Sequence, residues 1–272
     1  MIALENEERK VLLFEILKDF KNFCVQHELT YSLFGGTLLG AIRHGGFIPW
    51  DDDVDVAMPR LDYEAFIKLF EGSVLAKKYK LYNSNVYPDY PYPFLKLANP
   101  KTLIQGCGKD SRFEMGLHID IFPLDGFPRR KWLATLQFRF HFLLRQLSVL
   151  SSLHVYVKKR SVFKVCFLLF YKVCTLGVKP RFWHCISNYV AKRHKICSSF
   201  WAGNCVWGVG IQEVLPACIF MKRKDVFFEK EKFSSFEDAD AYLSGIYGDY
   251  MTPPPVEQRI GGHLLGAYMK ED

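Results

Sequence analysis

An acidic run with alternating spacing is the part of this sequence most suited to chemistry. Asp51, Asp53 and Asp55 are separated by single residues, and Val54 and Val56 flank the last of them. Because side chains of a β-strand alternate between its faces, this spacing predicts three carboxylates on one face and the valines on the buried face. Like charges this close repel one another unless a cation lies among them. Oxygen ligands without nearby Cys or His favour Mg²⁺ or Mn²⁺ over zinc. The run therefore indicates a metal site in preference to the alternative, a solvated acidic loop between helices.

A later apolar stretch carries a further carboxylate. Residues 117–124 read as a strand, in which Asp120 lies between two isoleucines. A carboxylate in such a strand is costly to bury unless it is paired or bound to a metal. The predicted metal ligands are therefore Asp53, Asp55 and Asp120. Asp51 is expected to be a fourth ligand or the base that accepts the proton of an attacking hydroxyl. Asp125 is predicted to brace a turn.

A glycine turn and two cationic side chains are the predicted phosphate contacts. Gly35-Gly36-Thr37 follows a short apolar strand, and a turn without side chains can present its N–H groups to a phosphate. Thr37 is the predicted start of a helix. Arg43 could neutralise a phosphate or lie in a solvated loop. Lys96 lies within an apolar strand and requires an anionic partner such as a nucleotide phosphate, unless it faces water on an edge strand.

Hydrophobic periodicity predicts the elements that position these residues. Helices are expected over residues 5–27, 62–71, 131–154 and 236–247, and strands over 31–34, 79–82, 94–98, 102–105 and 117–124. A glycine turn, a strand with two alternating aspartates and a later strand with one resemble the pattern of the nucleotidyltransferase superfamily. This resemblance implies an α+β fold, a nucleotidyltransferase-like mixed sheet flanked by helices. The chemistry of such a site is two-metal phosphoryl transfer, in which cations neutralise the phosphates and orient the attacking oxygen.

Composition limits the class of protein. Of the 272 residues, 49% are hydrophobic, which excludes disorder and predicts one large core or two modest ones. The first ten residues are acidic and polar, which is not the order of a secretory signal. Eight cysteines show neither CxxC nor a histidine at zinc-site spacing. We therefore expect reduced thiols buried as small hydrophobes and no zinc site.

Charge is distributed unevenly along the chain. Residues 126–212 contain fifteen Lys or Arg and no Asp or Glu, whereas the remainder holds 21 basic and 29 acidic residues. Such asymmetry predicts a partner or a surface. The apolar stretches 131–154 and 161–178 are interrupted by basic residues, and the second is short for a spanning helix. We expect a helical lobe whose basic outer face touches an anionic membrane; full burial within the lobe is the alternative. No nucleic-acid partner is expected, because no recognised binding module is present.

Three segments together resemble one protein family. They are the block GGTLLGAIRHGGFIPWDDDVDVAMPR at residues 35–60, the stretch His118–Asp125, and Tyr247–Met251 with the prolines that follow. They resemble the LicD family, whose best-known members transfer phosphocholine from CDP-choline to surface glycans; fukutin-type ribitol-phosphate transferases are related. The resemblance covers both ends of the chain well and the middle poorly.

The resemblance implies a Mg²⁺- or Mn²⁺-dependent phosphotransferase that uses CDP-choline. Its implied acceptor is a lipid-linked glycan precursor of the lipopolysaccharide or teichoic-acid type. We divide the chain into a catalytic core (1–125), a basic helical insert (126–212) and a segment that returns to the active site (213–272). Aromatic faces bind a quaternary ammonium. At least one of four aromatic candidates should therefore line a choline pocket: Trp50, Trp207, Tyr247 or Tyr250. The candidate substrate contacts are Trp50, Trp207, Tyr247, Asp249, Tyr250, Arg259 and His263.

Other donors and a non-enzymatic role remain open at this point. The fold and the metal site do not distinguish CDP-choline from CDP-ribitol, CDP-glycerol or a nucleoside triphosphate. A catalytically inactive glycan-binding protein of the same fold is a further alternative, which the intact set of aspartates disfavours. The expected location is cytoplasmic, peripheral on the inner face of the membrane.

Overall fold

The structure, a computed structural model, describes residues 1–105, 114–152, 177–208, 210–259 and 266–270. Its α-helices are α1 (Asn6–Gln26), α2 (Gly35–His44), α3 (Arg60–Phe70), α4 (Val74–Lys78), α5 (Lys131–Ser152), α6 (Pro180–Ala191) and α7 (Ala239–Tyr247). Its strands are β1 (Ile2–Ala3), β2 (Ser32–Leu33), β3 (Asp55–Pro59), β4 (Lys80–Tyr82), β5 (Leu95–Ala98), β6 (Thr102–Gln105), β7 (His118–Phe127), β8 (Trp201–Gly203), β9 (Leu215–Pro216), β10 (Arg223–Phe228), β11 (Glu231–Phe236) and β12 (Gly266–Met269). Short 3₁₀ turns occupy Ile196–Ser198, Ile211–Glu213, Ala217–Phe220 and Val256–Gln258.

A seven-stranded mixed sheet forms the centre of the protein. Its main path is β2-β3-β7-β5-β4, and β8 joins β7 and carries β9. The β3–β7 pair is parallel, whereas the other pairs are antiparallel. Smaller sheets are formed by β1-β12-β6 and by the β10–β11 hairpin. The α+β fold class predicted from the sequence is thus confirmed, and the helices predicted near residues 5–27, 62–71, 131–154 and 236–247 are present.

The long strand β7 organises this sheet. It pairs with β3 along residues 120–124, with β5 along 118–121 and with β8 along 125–127. Pro123 cannot donate a backbone hydrogen bond, and it falls in the interval between the β5 and β8 pairings. The proline therefore interrupts neither ladder on that side of the strand. The predicted boundary between residues 125 and 126 lies inside β7.

Helices α1 and α3 cover one face of the sheet. Leu17, Phe20 and Phe66 are fully buried there, and the Phe20 and Phe66 rings lie 5.3 Å apart. The periodic apolar positions of α1 are the residues it buries, as an amphipathic helix requires. They are Leu13, Ile16, Leu17, Phe20, Phe23 and Cys24.

Helices α5 and α6 pack together beside the second half of β7. Buried Phe127, Ala134 and Phe138 belong to a hydrophobic cluster separate from the main core. Within the described ranges no helix is both long and apolar enough to cross a bilayer. Residues 153–176 lie outside the described residues, and with them most of the predicted stretch 161–178.

Three sequence predictions differ from the structure. Strand β3 begins only at Asp55, so residues 51–54 form an extended approach to the strand. Helix α2 begins at Gly35, with Phe34 as N-cap, so Thr37 is the third helical residue and not the start. Asp125 does not brace a turn, because it lies within β7. Its buried carboxylate accepts hydrogen bonds from Nε and Nη2 of Arg60, at 2.8 and 2.5 Å.

The expectation for the cysteines holds only in part. Among the described residues, Cys24 and Cys205 are buried. Three others are exposed free thiols: Cys185, Cys197 and Cys218. Cys205 lies 3.3 Å from Asp125 and extends the ion pair of that carboxylate.

Candidate active site

An acidic and aromatic cavity of about 660 Å³ opens where β3 and β7 begin. Five charged or titratable side chains of the central sheet and its approach line one side: Asp53, Asp55, Lys96, His118 and Asp120. Asp52 also lines the cavity. Aromatic side chains and the 3₁₀ turn at Ile211–Glu213 complete the wall. Two chemically different regions, one carboxylate-rich and one aromatic, therefore share a single cavity.

The glycines at the start of α2 allow the backbone to approach the aspartates closely. Gly35 has φ of +51°, and a Cβ added there would lie 3.1 Å from Oδ2 of Asp55. A Cβ on Gly36 would lie 2.9 Å from Oδ2 of Asp51. The hydroxyl of Thr37 accepts a hydrogen bond from the N–H of Asp55 at 2.8 Å. Two of the predicted phosphate contacts thus pack against the acidic run, and Thr37 orients Asp55.

Strand pairing places the next carboxylate beside Asp55. Asp120 of β7 is the register partner of Asp55 across the parallel β3–β7 pair, and its N–H donates to the carbonyl of Val54 at 2.8 Å. The antiparallel neighbour β5 places Lys96 opposite Asp120. Three adjacent strands therefore bring Asp55, Asp120 and Lys96 into one row.

Lys96 is an internal cation of the cavity wall. Only 5% of it is exposed, and its Nζ lies 2.5 and 2.7 Å from the two oxygens of Asp120. Nζ also lies 2.9 Å from Nε2 of His118. The edge-strand alternative for Lys96 is wrong, because β5 lies between β4 and β7. Its anionic partner in this structure is a carboxylate of the same cavity.

Burial and mutual repulsion raise the pKa values of the aspartates. Burial, and then the charges of Asp51 and Asp120, raise the pKa of Asp53 to about 8. Burial, followed by the charges of Asp53 and Asp120, raises the pKa of Asp55 well above its ordinary value, and Lys96 opposes this rise. Burial and then the Lys96 charge lower the pKa of His118 to about 4. His118 is therefore neutral near pH 7, and its Nε2 accepts a hydrogen bond from Lys96 while its Nδ1 faces the carbonyl of Gly116 at 2.9 Å.

The donor set fits a hard dication at Asp53 and Asp55 better than at Asp120. Carboxylates whose charged forms are disfavoured by one another are stabilised when a divalent cation lies between them. In the part of the chain that the structure describes, however, no three His, Cys, Asp or Glu side chains form a group that could hold a metal ion as they stand. Both oxygens of Asp120, the predicted third ligand, contact Lys96.

Another part of the cavity wall is aromatic. Trp207 contacts Tyr92 and Phe94 edge-on, with ring centroids 5.5 and 5.2 Å apart. Tyr242 and Tyr247 of α7 line the wall near Gly35, and the Tyr242 hydroxyl accepts a hydrogen bond from the Gly35 N–H at 3.2 Å. Burial and then the charge of Asp55 raise the pKa of Tyr247. Two of the four predicted aromatic candidates, Trp207 and Tyr247, thus lie in the cavity.

Several lining residues were not identified as site residues from the sequence. They are Tyr92, Phe94, His118, Asn204, Gln212, Glu213 and Tyr242. The two-residue spacing of Tyr92, Phe94 and Lys96 was a usable signal, since it places them on one face of an extended segment. The same spacing relates His118 to Asp120. No local pattern marked Glu213, because it reaches the cavity from a distant 3₁₀ turn.

The remaining predicted contacts lie away from the cavity lining. The guanidinium of Arg259 stacks 5.1 Å from the ring of Trp50, and Arg43 donates to the carbonyl of Tyr250 at 2.7 Å. Asp249 is exposed and accepts a hydrogen bond from Thr252. These residues form a separate cluster near the C-terminal end of α2. His263 lies outside the described residues.

The sheet, the glycine start of α2 and the alternating aspartates form the nucleotidyltransferase-like α+β arrangement expected from the sequence. Residues 28–125 match the family described as LicD/FKTN/FKRP, nucleotidyltransferase domain. Over these residues the chain is therefore similar to that domain. All of the carboxylates in the row described above fall within these residues.

Two relatives place this domain in context. The chain is 28% identical over 275 residues to the lipopolysaccharide cholinephosphotransferase LicD of Haemophilus influenzae, and the match covers 99% of this chain and 100% of that protein. It is 28% identical over 124 residues to the mannosyltransferase regulator 4 of Saccharomyces cerevisiae, a match that covers 43% of this chain and 10% of the yeast protein. The similarity to the first protein thus extends through the basic segment and the C-terminal region.

Proposed function

We propose that this protein transfers phosphocholine from CDP-choline to a surface glycan of the lipopolysaccharide type. The observation that supports this most is the end-to-end similarity to a lipopolysaccharide cholinephosphotransferase. The cavity agrees with it, because carboxylates suited to a phosphate-bound cation and aromatic side chains suited to a quaternary ammonium line the same cavity. A teichoic-acid type glycan is the alternative acceptor.

In this proposal the carboxylates have different roles in phosphoryl transfer. Asp53 and Asp55 would hold Mg²⁺ or Mn²⁺, and the bound ion would neutralise the donor phosphates. Asp51 is positioned against Gly36 and is the candidate base for the acceptor hydroxyl. The Trp207 ring would receive the choline group, and the N-terminus of α2 at Gly35 would face the donor phosphates.

A lipid-linked acceptor requires access to a membrane surface. In this proposal the basic segment is the part of the protein that contacts the membrane. An open basic recess of about 670 Å³ lies at the far end of β7. Its polar lining side chains include Arg129, Arg193, His194, Lys195, Ser198 and Ser199. Phe200 at its rim is 56% exposed, and Trp132 at the start of α5 is 61% exposed. Exposed aromatics beside cationic groups suit the interface of an anionic leaflet. The predicted basic cluster Lys158, Lys159 and Arg160 lies outside the described residues.

One experiment tests the donor directly. The purified protein is incubated with Mg²⁺, a choline-free lipooligosaccharide and, separately, CDP-choline, CDP-ethanolamine, CDP-glycerol, CDP-ribitol or CTP, and CMP or diphosphate release is followed by mass spectrometry. We expect CMP release and a phosphocholine mass increment on the glycan with CDP-choline only. The Asp55→Asn variant is the control for a contaminating activity. Turnover of another CDP-alcohol would replace the donor, and glycan binding without turnover of any donor would support the non-enzymatic alternative.

A further inference from the structure

The ammonium group of Lys96 has every one of its N–H bonds matched inside the cavity wall. An ammonium carries three donors, and three acceptors surround this one: both oxygens of Asp120, at 2.5 and 2.7 Å, and Nε2 of His118, at 2.9 Å. The tautomer of His118 suits this role, since its Nδ1 faces the Gly116 carbonyl. Lys96 therefore lies in a preformed binding site for a cation.

Two aromatic rings complete this cation-binding site. Nζ of Lys96 lies 4.9 Å from the ring centroid of Tyr92 and 5.1 Å from that of Phe94. Both distances are within the range of a cation–π contact. The backbone of Lys96 is held between β4 and β7, and the residue is 5% exposed. The charge is thus fixed by the sheet, unlike that of a surface lysine on a flexible stem.

A metal ion would compete with this ammonium for Asp120. Both oxygens of the carboxylate already accept hydrogen bonds from Nζ, and Mg²⁺ would have to bind one of them at about 2.1 Å. The ion would also meet a fixed positive charge at short range. Release of Lys96 would leave a buried ammonium that has lost its partners, which is costly.

We infer that Lys96 takes the place of a second metal ion, so that a single divalent cation on Asp53 and Asp55 acts beside a fixed ammonium. Asp120 is then an anchor for Lys96 and not a metal ligand. The inference rests on the metal dependence in the proposed function, and it concerns the number of ions and the role of Asp120. Both cations face the same cavity, so the donor phosphates would meet one exchangeable and one permanent positive charge.

The number of bound Mn²⁺ ions tests this inference without measuring activity. Wild type, Lys96→Met and Asp120→Asn are titrated with Mn²⁺ at saturating CMP, with free Mn²⁺ measured by electron paramagnetic resonance. Lys80→Met is the matched control, because Lys80 lies on the adjacent strand β4 and its ammonium contacts the Tyr82 and Tyr87 rings but no carboxylate of the site.

We expect one Mn²⁺ per chain in wild type, in Lys80→Met and in Asp120→Asn, and two in Lys96→Met. The second ion in Lys96→Met should bind at least tenfold tighter than any second ion in wild type. Two ions in wild type, or loss of Mn²⁺ binding in Asp120→Asn while its circular dichroism remains native, would overturn the inference. The wild-type result decides even where Lys96→Met does not fold. Absence of Mn²⁺ binding to wild type would instead contradict the metal dependence itself.

Discussion

Replacing Asp53 by Asn should stabilise the metal-free protein and abolish its stabilisation by Mn²⁺. The pKa of Asp53 is raised to about 8 from an ordinary value of 3.8. Between these values the folded chain holds a proton that the unfolded chain has lost. The free energy of unfolding of the wild type therefore falls as the pH rises from about 4 to about 8, and it is independent of this group below pH 4. Asn does not titrate, so the variant does not show this fall in the free energy of unfolding.

The size of the effect follows from the same pKa. Over the pH interval from 3.8 to 7, the extra proton of the folded state lowers the free energy of unfolding of the wild type by at most about 4 kcal/mol. Since Asp51 and Asp120 share the repulsion and each can take up part of the proton, we expect Asp53→Asn to gain about 1–4 kcal/mol. For a chain of this length each kcal/mol raises the melting temperature by about 2–4 °C.

Thermal unfolding at pH 5 and pH 7, with EDTA or with Mn²⁺, measures both parts. Without metal, the gain of Asp53→Asn over wild type should be larger at pH 7 than at pH 5. With Mn²⁺ at about 100 times its dissociation constant, wild type should gain about 2.7 kcal/mol, whereas the variant should gain little. Asp225→Asn, exposed on β10, controls for the change in net charge.

Two results would refute this reasoning. If Asp53→Asn is no more stable than wild type in EDTA at pH 7, the buried carboxylates do not repel one another as the geometry requires. If Mn²⁺ stabilises both proteins equally, Asp53 is not a ligand. A gain in EDTA that matches that of Asp225→Asn would reduce the effect to net charge.

Three further predictions concern the aromatic wall, the ion pair and the basic recess. Trp207→Leu should weaken CDP-choline binding by about 0.5–2 kcal/mol, through loss of cation–π attraction, and leave CMP binding unchanged by calorimetry. Asp125→Asn should cost about 3–5 kcal/mol in urea unfolding, because Arg60 is left as a buried charge without its carboxylate. Neutralising three basic residues of the recess should weaken binding to anionic liposomes by about 1 kcal/mol per charge, and added salt should weaken wild-type binding steeply. The triple variant carries Arg129→Gln, Arg193→Gln and Lys195→Gln.

Each of these has a control and a contradicting outcome. Trp50→Leu lies outside the cavity lining and should not change donor selectivity; equal selectivity in Trp207→Leu and wild type would exclude Trp207 from the choline site. Asp89→Asn breaks an exposed ion pair with Lys179 and should cost under about 1 kcal/mol; a similar cost for Asp125→Asn would show that water reaches Arg60. Equal binding to neutral and anionic liposomes would reject the electrostatic contact.

Regular elements and the acidic centre could be predicted from local sequence patterns. Helical spacing marked α1 and α5, and two-residue alternation marked β5 and β7. Strand β3 was predicted to begin four residues too early. Asp51, Asp53 and Asp55 have the alternating spacing of a strand, although the strand itself begins only at Asp55. Spacing alone does not show whether a partner strand is present.

Long-range pairing explains what the sequence did not reveal. Lys96 and Asp120 meet because β5 lies next to β7, and no local pattern indicates which strands become neighbours. The same limit applies to Asp125, whose bond to Arg60 joins residues 65 positions apart. A turn was predicted at Asp125, whereas in the structure β7 continues through Pro123 and Asp125 as one strand.

Strand β7 has a fixed register for two independent reasons. Asp120 and Asp125 are an odd number of residues apart, so they project from opposite faces of the strand. One carboxylate holds Lys96 in the cavity, and the other holds Arg60, which also donates to Asn188 of α6 at 3.1 Å. A shift by one residue would turn both carboxylates to the wrong face. Strand β7 therefore links the cavity to the helical lobe at a fixed distance. A chimera that exchanges the lobe with that of a relative must keep residues 120–125 as a single unit.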